Sequence, residues 1–284
     1  MKKITVVIGA MAVVMAMVTG CGSTQDKTTK ESNTAQSNTT DVQKETEDTA
    51  QGKTFTLGFD ANFPPYGYMD EDGSYVGFDL DLAAEVCDRL GWELVLQPID
   101  WDAKDMELSS GSIDCIWNGF TLNGREDAYT WSDPYVDNSQ VFVVRADAGI
   151  TKAEELAGKV VNVQADSSAL KALQGEEQSA LTGSFADLIQ VPEYNTAFMN
   201  LEAGAADAVA MDIGVAKYQI ASRGDEFVIL EKPLASEVYA IGFLKGNEAC
   251  RDAVQEQLDA MAADGALSKI AEKWGVTDSI VLGK

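Results

Sequence analysis

The chain has 284 residues, 45% of them apolar, and 46 Asp and Glu against 21 Lys and Arg give it a formal charge of −25. That length supports about two domains with a sizeable core; the charge argues against nucleic acid and against docking on anionic lipid through a basic patch. Histidine is absent, which removes Ser-His-Asp and Cys-His nucleophiles and His-ligated zinc; no metal or other cofactor is expected.

At the N-terminus, a short basic region precedes an apolar run from Ile4 to Val18. It is short of the roughly 20 residues that cross a bilayer and suits a signal peptide over residues 1–20. The run ends in "VTGC", Val18 to Cys21, which resembles the lipobox of bacterial lipoproteins, where the cysteine is acylated and becomes the new N-terminus. An ordinary signal peptide with a chance cysteine is the alternative. Residues 21–52 are rich in Ser, Thr, Gln and charge. They cannot bury enough apolar surface to offset chain entropy, so a disordered tether is expected there. About 30 such residues span roughly 30 Å.

The folded body starts near Lys53. "KTFTLGFD" alternates and predicts a strand ending at Asp60. "NFPPYGYMDEDGSYVGFD" carries turn signals. "LDLAAEVCDRLG" predicts a helix with Leu82, Ala83, Val86, Cys87 and Leu90 on one face and Gly91 as its stop. "WELVLQPI", "AKDMELSSG" and "SIDCIWN" predict strand, helix and strand, the signature of a parallel α/β sheet. The second half predicts strands at "SQVFVVRA" and "VYAIGFLK". Between them, "TKAEELAGKVVNVQADSSALKAL" and "NTAFMNLEAGAADAVAMD" supply further helix and strand. Two helices close the chain. Cys87, Cys115 and Cys250 remain after Cys21; free buried thiols and a Cys87–Cys115 bridge are both open.

The segments "FPPYGYMDEDGSYVGFDLDLA", "IDWDAKDMELSSGSIDCIWNGFTLNGRED", "WSDPY", "LAGKVVNVQADSS", "LEAGAADAVAMD" and "MAADGALSKIAEKW", in that order, resemble the extracellular amino-acid-binding proteins of ABC importers, of the type II periplasmic-binding-protein fold. The resemblance covers about residues 53–276. It implies an α/β clamp of two lobes, residues 53–141 plus 242–284 and residues 142–241, with hinge segments near "VFVV" and "VYAIG". It also implies a free amino acid as ligand, and an ABC permease with its ATPase as partners. The protein would be held outside the cell membrane through lipid on Cys21.

The resemblance gives candidate ligand residues. Gly119 and Thr121 match a turn that precedes the family's carboxylate-gripping arginine, and Arg125 matches that arginine. Guanidinium suits this task because its planar fork pairs both carboxylate oxygens. A surface arginine paired with Glu126 or Asp127 is the bland alternative. The loop "GFTLNGR" is one residue shorter than is usual, and Gly124 is expected to let it reach. Ser167 and Ser168 match the opposing grip at a helix N-terminus, where N–H groups and the dipole favour an anion. Asp166 there is expected either to cap the helix or to repel the carboxylate. Asp212 matches the ammonium acceptor, with capping of the next helix as its alternative. Phe63 and Trp101 match a side-chain sandwich, with plain core as the alternative. Asp60 matches an aspartate at the far end of the pocket, with Asn118 and Gln164 adding hydrogen bonds. Asp60 favours a polar or basic amino acid over an acidic one, with cystine as the second choice.

The same fold carries dehydratase enzymes, for which Asp60 would be the acid or base. A receptor's sensing module would need a membrane span or signalling domain after the clamp, and none is expected in the ten residues after Trp274.

Overall fold

A computed structural model describes residues 52–284, which belong to one compact unit. The expected signal peptide, Cys21 and the tether up to residue 51 lie outside the described residues. Strands β1 (Thr54–Phe59), β2 (Asn62–Phe63), β3 (Gly67–Met69) and β4 (Tyr75–Val76) lead into helix α1 (Phe78–Leu90). Then come β5 (Glu93–Pro98), α2 (Lys104–Ser110), β6 (Cys115–Ile116), β7 (Thr130–Trp131), β8 (Val136–Arg145) and β9 (Val160–Gln164). Helix α3 (Ser168–Gln174), α4 (Ser179–Thr182), β10 (Asp187–Val191), α5 (Tyr194–Glu202), β11 (Ala208–Asp212) and α6 (Ile213–Arg223) follow. β12 (Phe227–Ile229), β13 (Ala235–Tyr239), β14 (Gly242–Phe243), α7 (Glu248–Asp264) and α8 (Ala266–Trp274) complete the series.

Two sheets carry the α/β fold. One has the order β5-β1-β6-β14-β7; the other has β10-β9-β11-β8-β12, with β13 also on β8. β1 pairs parallel with β5 and β6, and β9 pairs parallel with β10 and β11. Local sequence explains these elements. Phe55, Leu57 and Phe59 alternate along β1 and are fully buried. In α1, Leu82, Ala83, Val86 and Cys87 are buried at helical spacing, and Leu90 packs half-buried against the same core. Asp79 and Asp81 in its first turn and Arg89 in its last complement the helix dipole. Gly91, at φ 67°, takes the left-handed C-cap.

The chain passes between the sheets at Ser132–Tyr135 and again at Ala240–Ile241. The first passage is displaced from the "VFVV" segment. Val141–Val144 lies inside β8, which stays in the second sheet throughout, so the sheets divide at 132–135 rather than at 141/142. The reason is the strand's length: its first half pairs with β13, and its second half is covered by β11 and β12. The two passages are bonded to each other. Ser132 N donates to Ile241 O at 3.0 Å, Ile241 N to Ser132 Oγ at 2.8 Å, and Tyr135 N to Tyr239 O at 3.0 Å. Cys87, Cys115 and Cys250 are free and buried; the Cys87–Cys115 bridge is not formed.

Candidate functional site

The carboxyl ends of three parallel strands converge where the two sheet-bearing halves face each other. Asp60 follows β1, Gln164 ends β9 and Asp212 ends β11, while the segment from Asn118 to Arg125 follows β6. Such ends are where open α/β sheets present ligand-binding groups. Phe63, Trp101, Gly119, Thr121, Gln164, Ser167, Ser168 and Asp212 line a cavity of about 10 Å³, on the scale of one water molecule.

Arg125 reaches across this junction. Its Nη1 donates to Ser168 Oγ at 3.0 Å and to Thr121 O at 3.2 Å, and its Nη2 donates to Asp166 O at 3.4 Å. Its guanidinium lies 5.2 Å from the centre of the Phe120 ring. Glu126 does not hold it; that carboxylate accepts instead from Gly124 N at 2.9 Å. The short loop closes as a turn, with Arg125 N donating to Leu122 O at 2.9 Å. Gly124 sits in that turn at φ 74°, a left-handed conformation that glycine adopts at little cost.

Ser167, not Asp166, caps α3, its Oγ accepting from Leu170 N at 3.1 Å. Asp166, left-handed at φ 53°, pairs with the buried Lys104 across the cleft. The capping role expected for Asp166 is therefore corrected. Tolerance of the left-handed region by a short polar side chain explains how it stays there. Asp212 stands at the N-cap of α6 without capping it.

Two other candidates are turned to internal duties. Asn118 Oδ1 accepts from Asp60 N at 3.0 Å, its Nδ2 is buried without a partner, and it does not line the cavity. Gly119 N donates to Asp79 Oδ2 at 2.6 Å. Burial pushes the Asp79 carboxyl up to about 7. A Cβ on Gly119 would lie 2.8 Å from the Phe63 ring and 3.0 Å from that of Tyr239, at φ 53°.

Asp60 is buried, and its carboxylate accepts from Gln164 Nε2 at 2.7 Å across the cleft and from Asn62 N at 2.8 Å. Burial, then the nearby charges of Glu193 and Asp100, push it up to about 6 against those hydrogen bonds. It lines an open pocket of about 430 Å³ shared with Asp100, Glu107 and Glu193; Trp101 borders both this pocket and the small cavity.

Asp212 accepts from four donors and still lines the cavity. Tyr239 Oη donates at 2.6 Å and Gln140 Nε2 at 2.7 Å; Asn138 Nδ2 donates at 2.8 Å and Tyr194 Oη at 3.2 Å. Beside it lies a carboxylate that the sequence reading missed, Glu237, which accepts from Thr121 Oγ1 at 2.8 Å. A signal for it existed. Glu237 shares a strand face with Tyr239, and both are buried; an acid on the inner face of an apolar strand asks for a partner.

Comparison with known proteins follows the same lines. The family profile of bacterial extracellular solute-binding proteins, family 3, matches residues 55–277. The L-cystine-binding protein TcyJ of Escherichia coli is 27% identical over 224 residues, 78% of this chain and 82% of its own. The arginine-binding extracellular protein ArtP of Bacillus subtilis is 28% identical over 232 residues, 78% of this chain and 86% of its own. An ABC uptake transporter substrate-binding protein from Streptococcus pneumoniae, solved with bound histidine, superposes with a TM-score of 0.75 at 33% identity, over 78% of this chain and 92% of its own. With a profile match running nearly the length of the described body, this chain belongs to family 3 of the bacterial extracellular solute-binding proteins.

Proposed function

We propose that this protein binds a free amino acid between its two lobes and delivers it to an ABC permease driven by an ATPase. The observation that carries this reading is a cavity lined by Ser168, which the Arg125 guanidinium bonds from one side, and by a buried carboxylate, Asp212. An amino acid carries the complementary pair on adjacent groups. In this reading Arg125, Thr121, Ser167 and Ser168 hold the α-carboxylate, and Asp212 holds the ammonium. Phe63 and Trp101 flank the side chain, whose far end meets Asp60 and Gln164. The acidic lining beyond Trp101 favours a polar or basic side chain over an acidic one, and cystine is the second choice. The cavity as it stands is far smaller than an amino acid, so entry requires the halves to part and the ligand to be closed upon. The relatives named for arginine, cystine and histidine support this ligand range. Lipid on Cys21 would keep the body at the outer face of the membrane.

The test is thermal unfolding of the body, residues 53–284, against the common amino acids plus cystine, ornithine and citrulline, after refolding to strip carried-over ligand. A ligand at 100 times its Kd stabilises the native state by about 2.7 kcal/mol. A raised midpoint with one or a few polar or basic amino acids is expected. No rise with any of them overturns the proposal.

A further inference from the structure

Glu237 has no ligand contact in the reading above, yet it is bound to Asp212 by two shared donors. β8 lies between β11 and β13, with Asp212 opposite Gln140 and Glu237 opposite Asn138. Residues 138 and 140 share one face of β8. Asn138 Nδ2 donates to Asp212 Oδ1 at 2.8 Å and to Glu237 Oε1 at 2.7 Å. Gln140 Nε2 donates to the same two oxygens, each at 2.7 Å. An amide nitrogen has two N–H groups, so both amides are fully used in bridging the two acids.

The other titratable groups facing the pair are phenols: Tyr239 from β13, Tyr194 from α5 and Tyr66 from the loop after β2. Arg125, from the loop after β6, bonds the Thr121 carbonyl instead of either carboxylate. Asn138 Oδ1 and Gln140 Oε1 are buried without a donor. Acceptors therefore outnumber donors here, and a proton on one acid or a bound ammonium meets that surplus.

Resting on the proposed function, we infer that Asp212 and Glu237 hold one proton between them, which the ammonium of the incoming amino acid displaces. Before binding, one acid keeps its O–H bond and the other is ionised. As the ammonium enters, that O–H bond breaks and the proton leaves to solvent. Both carboxylates are then ionised against one ammonium. Glu237 is thus a positioning residue, acting through Asp212 and through the Thr121 hydroxyl. Burial raises both acids, and for Glu237 the charge of Asp212 adds to it and brings it to about 7. Below that pH the proton must be expelled, so affinity tightens as pH rises from 5 to 7, approaching about tenfold per unit, and levels above it.

Calorimetric titration of the compact body in two buffers of different ionisation enthalpy counts the protons released. L-arginine is titrated first, then the amino acid that raises the midpoint most in the screen above. We expect close to one proton per ligand at pH 6 and a fall toward zero at pH 8. In Glu237→Gln the count at pH 6 should drop below half and the pH slope should flatten. Binding by the unaltered protein with no proton release at pH 6 overturns the inference. So does a full proton released by Glu237→Gln; if that variant does not fold, the unaltered protein's count decides alone. A protein that binds no amino acid at any pH overturns the proposed function and the pair's role together, which separates the two failures.

Discussion

The two walls of the cleft solve opposite electrostatic problems. On one, Arg125 is half-buried and bonds only neutral oxygens: the Thr121 and Asp166 carbonyls and the Ser168 hydroxyl. Among the described residues no carboxylate lies within salt-bridge distance of it; the Asp166 carboxylate goes to Lys104. On the other, Asp212 and Glu237 are buried and shifted toward their neutral forms; Asp60, which follows β1 on Arg125's own half, is shifted the same way. The cationic wall keeps an uncompensated charge near water, ready for an anion at little desolvation cost. The acidic wall stores charge that the fold resists, and a cationic group arriving there relieves the resistance.

The contrast breaks most completely at Arg125. With two charge-assisted bonds of about 1.5–3 kcal/mol each at stake, Arg125→Ala should raise Kd at least about 100-fold with the circular dichroism spectrum unchanged. Unchanged affinity would remove its carboxylate role. Asp212→Ala comes next, at roughly 30- to 100-fold by the same reckoning; calorimetry showing less than about a threefold loss would put the ammonium elsewhere.

Asp60 sharpens the comparison through pH. Its folded-state carboxyl is at about 6, above the unfolded value of 3.8, so the native state binds more protons than the unfolded one between those values. Stability from this group is therefore fully present below about pH 4 and is lost as pH rises through 6. Asp60→Asn should raise the midpoint of the ligand-free body by roughly 5 °C at pH 7.5. The gain should vanish near pH 4, and arginine binding should weaken more than glutamine binding. An equal gain at both pH values would show that ionisation is not the cause.

Gly119→Ala should cost about 1–2 kcal/mol, since its Cβ meets two aromatic rings at a left-handed φ. Denaturant unfolding checks this, and a loss under about 0.3 kcal/mol would mean that the rings yield freely. The smallest effect belongs to Asp166→Ala. It removes the partner that buried Lys104 finds across the cleft, so calorimetry should show ligand affinity about threefold weaker.

Much of this was legible in the sequence, for local reasons. The face of α1, the stop at Gly91 and the alternation in β1 depend on neighbours within a few residues. That Arg125, Asp212 and Ser168 would lie near one another was legible through their place in motifs. What escaped needed long-range pairing. β10, α6 and β12 carry little sequence signal, because their exposed residues blur the apolar period. "VYAIGFLK" reads as one strand but splits into β13 and β14, which belong to different sheets. Glu237 joins the site only through the register of β8, which sets Asn138 and Gln140 between two acids.

The paired passages between the sheets have a mechanical consequence. Four residues at one passage and two at the other, stitched together by two hydrogen bonds with a third from Tyr135 to the last residue of β13, give the halves almost nothing to slide along. In the opening proposed above, two short straps lying side by side would act as a pin about which the halves swing. That opening would then reduce to one coordinate, which a single pair of labels, one on each half away from the pin, would read.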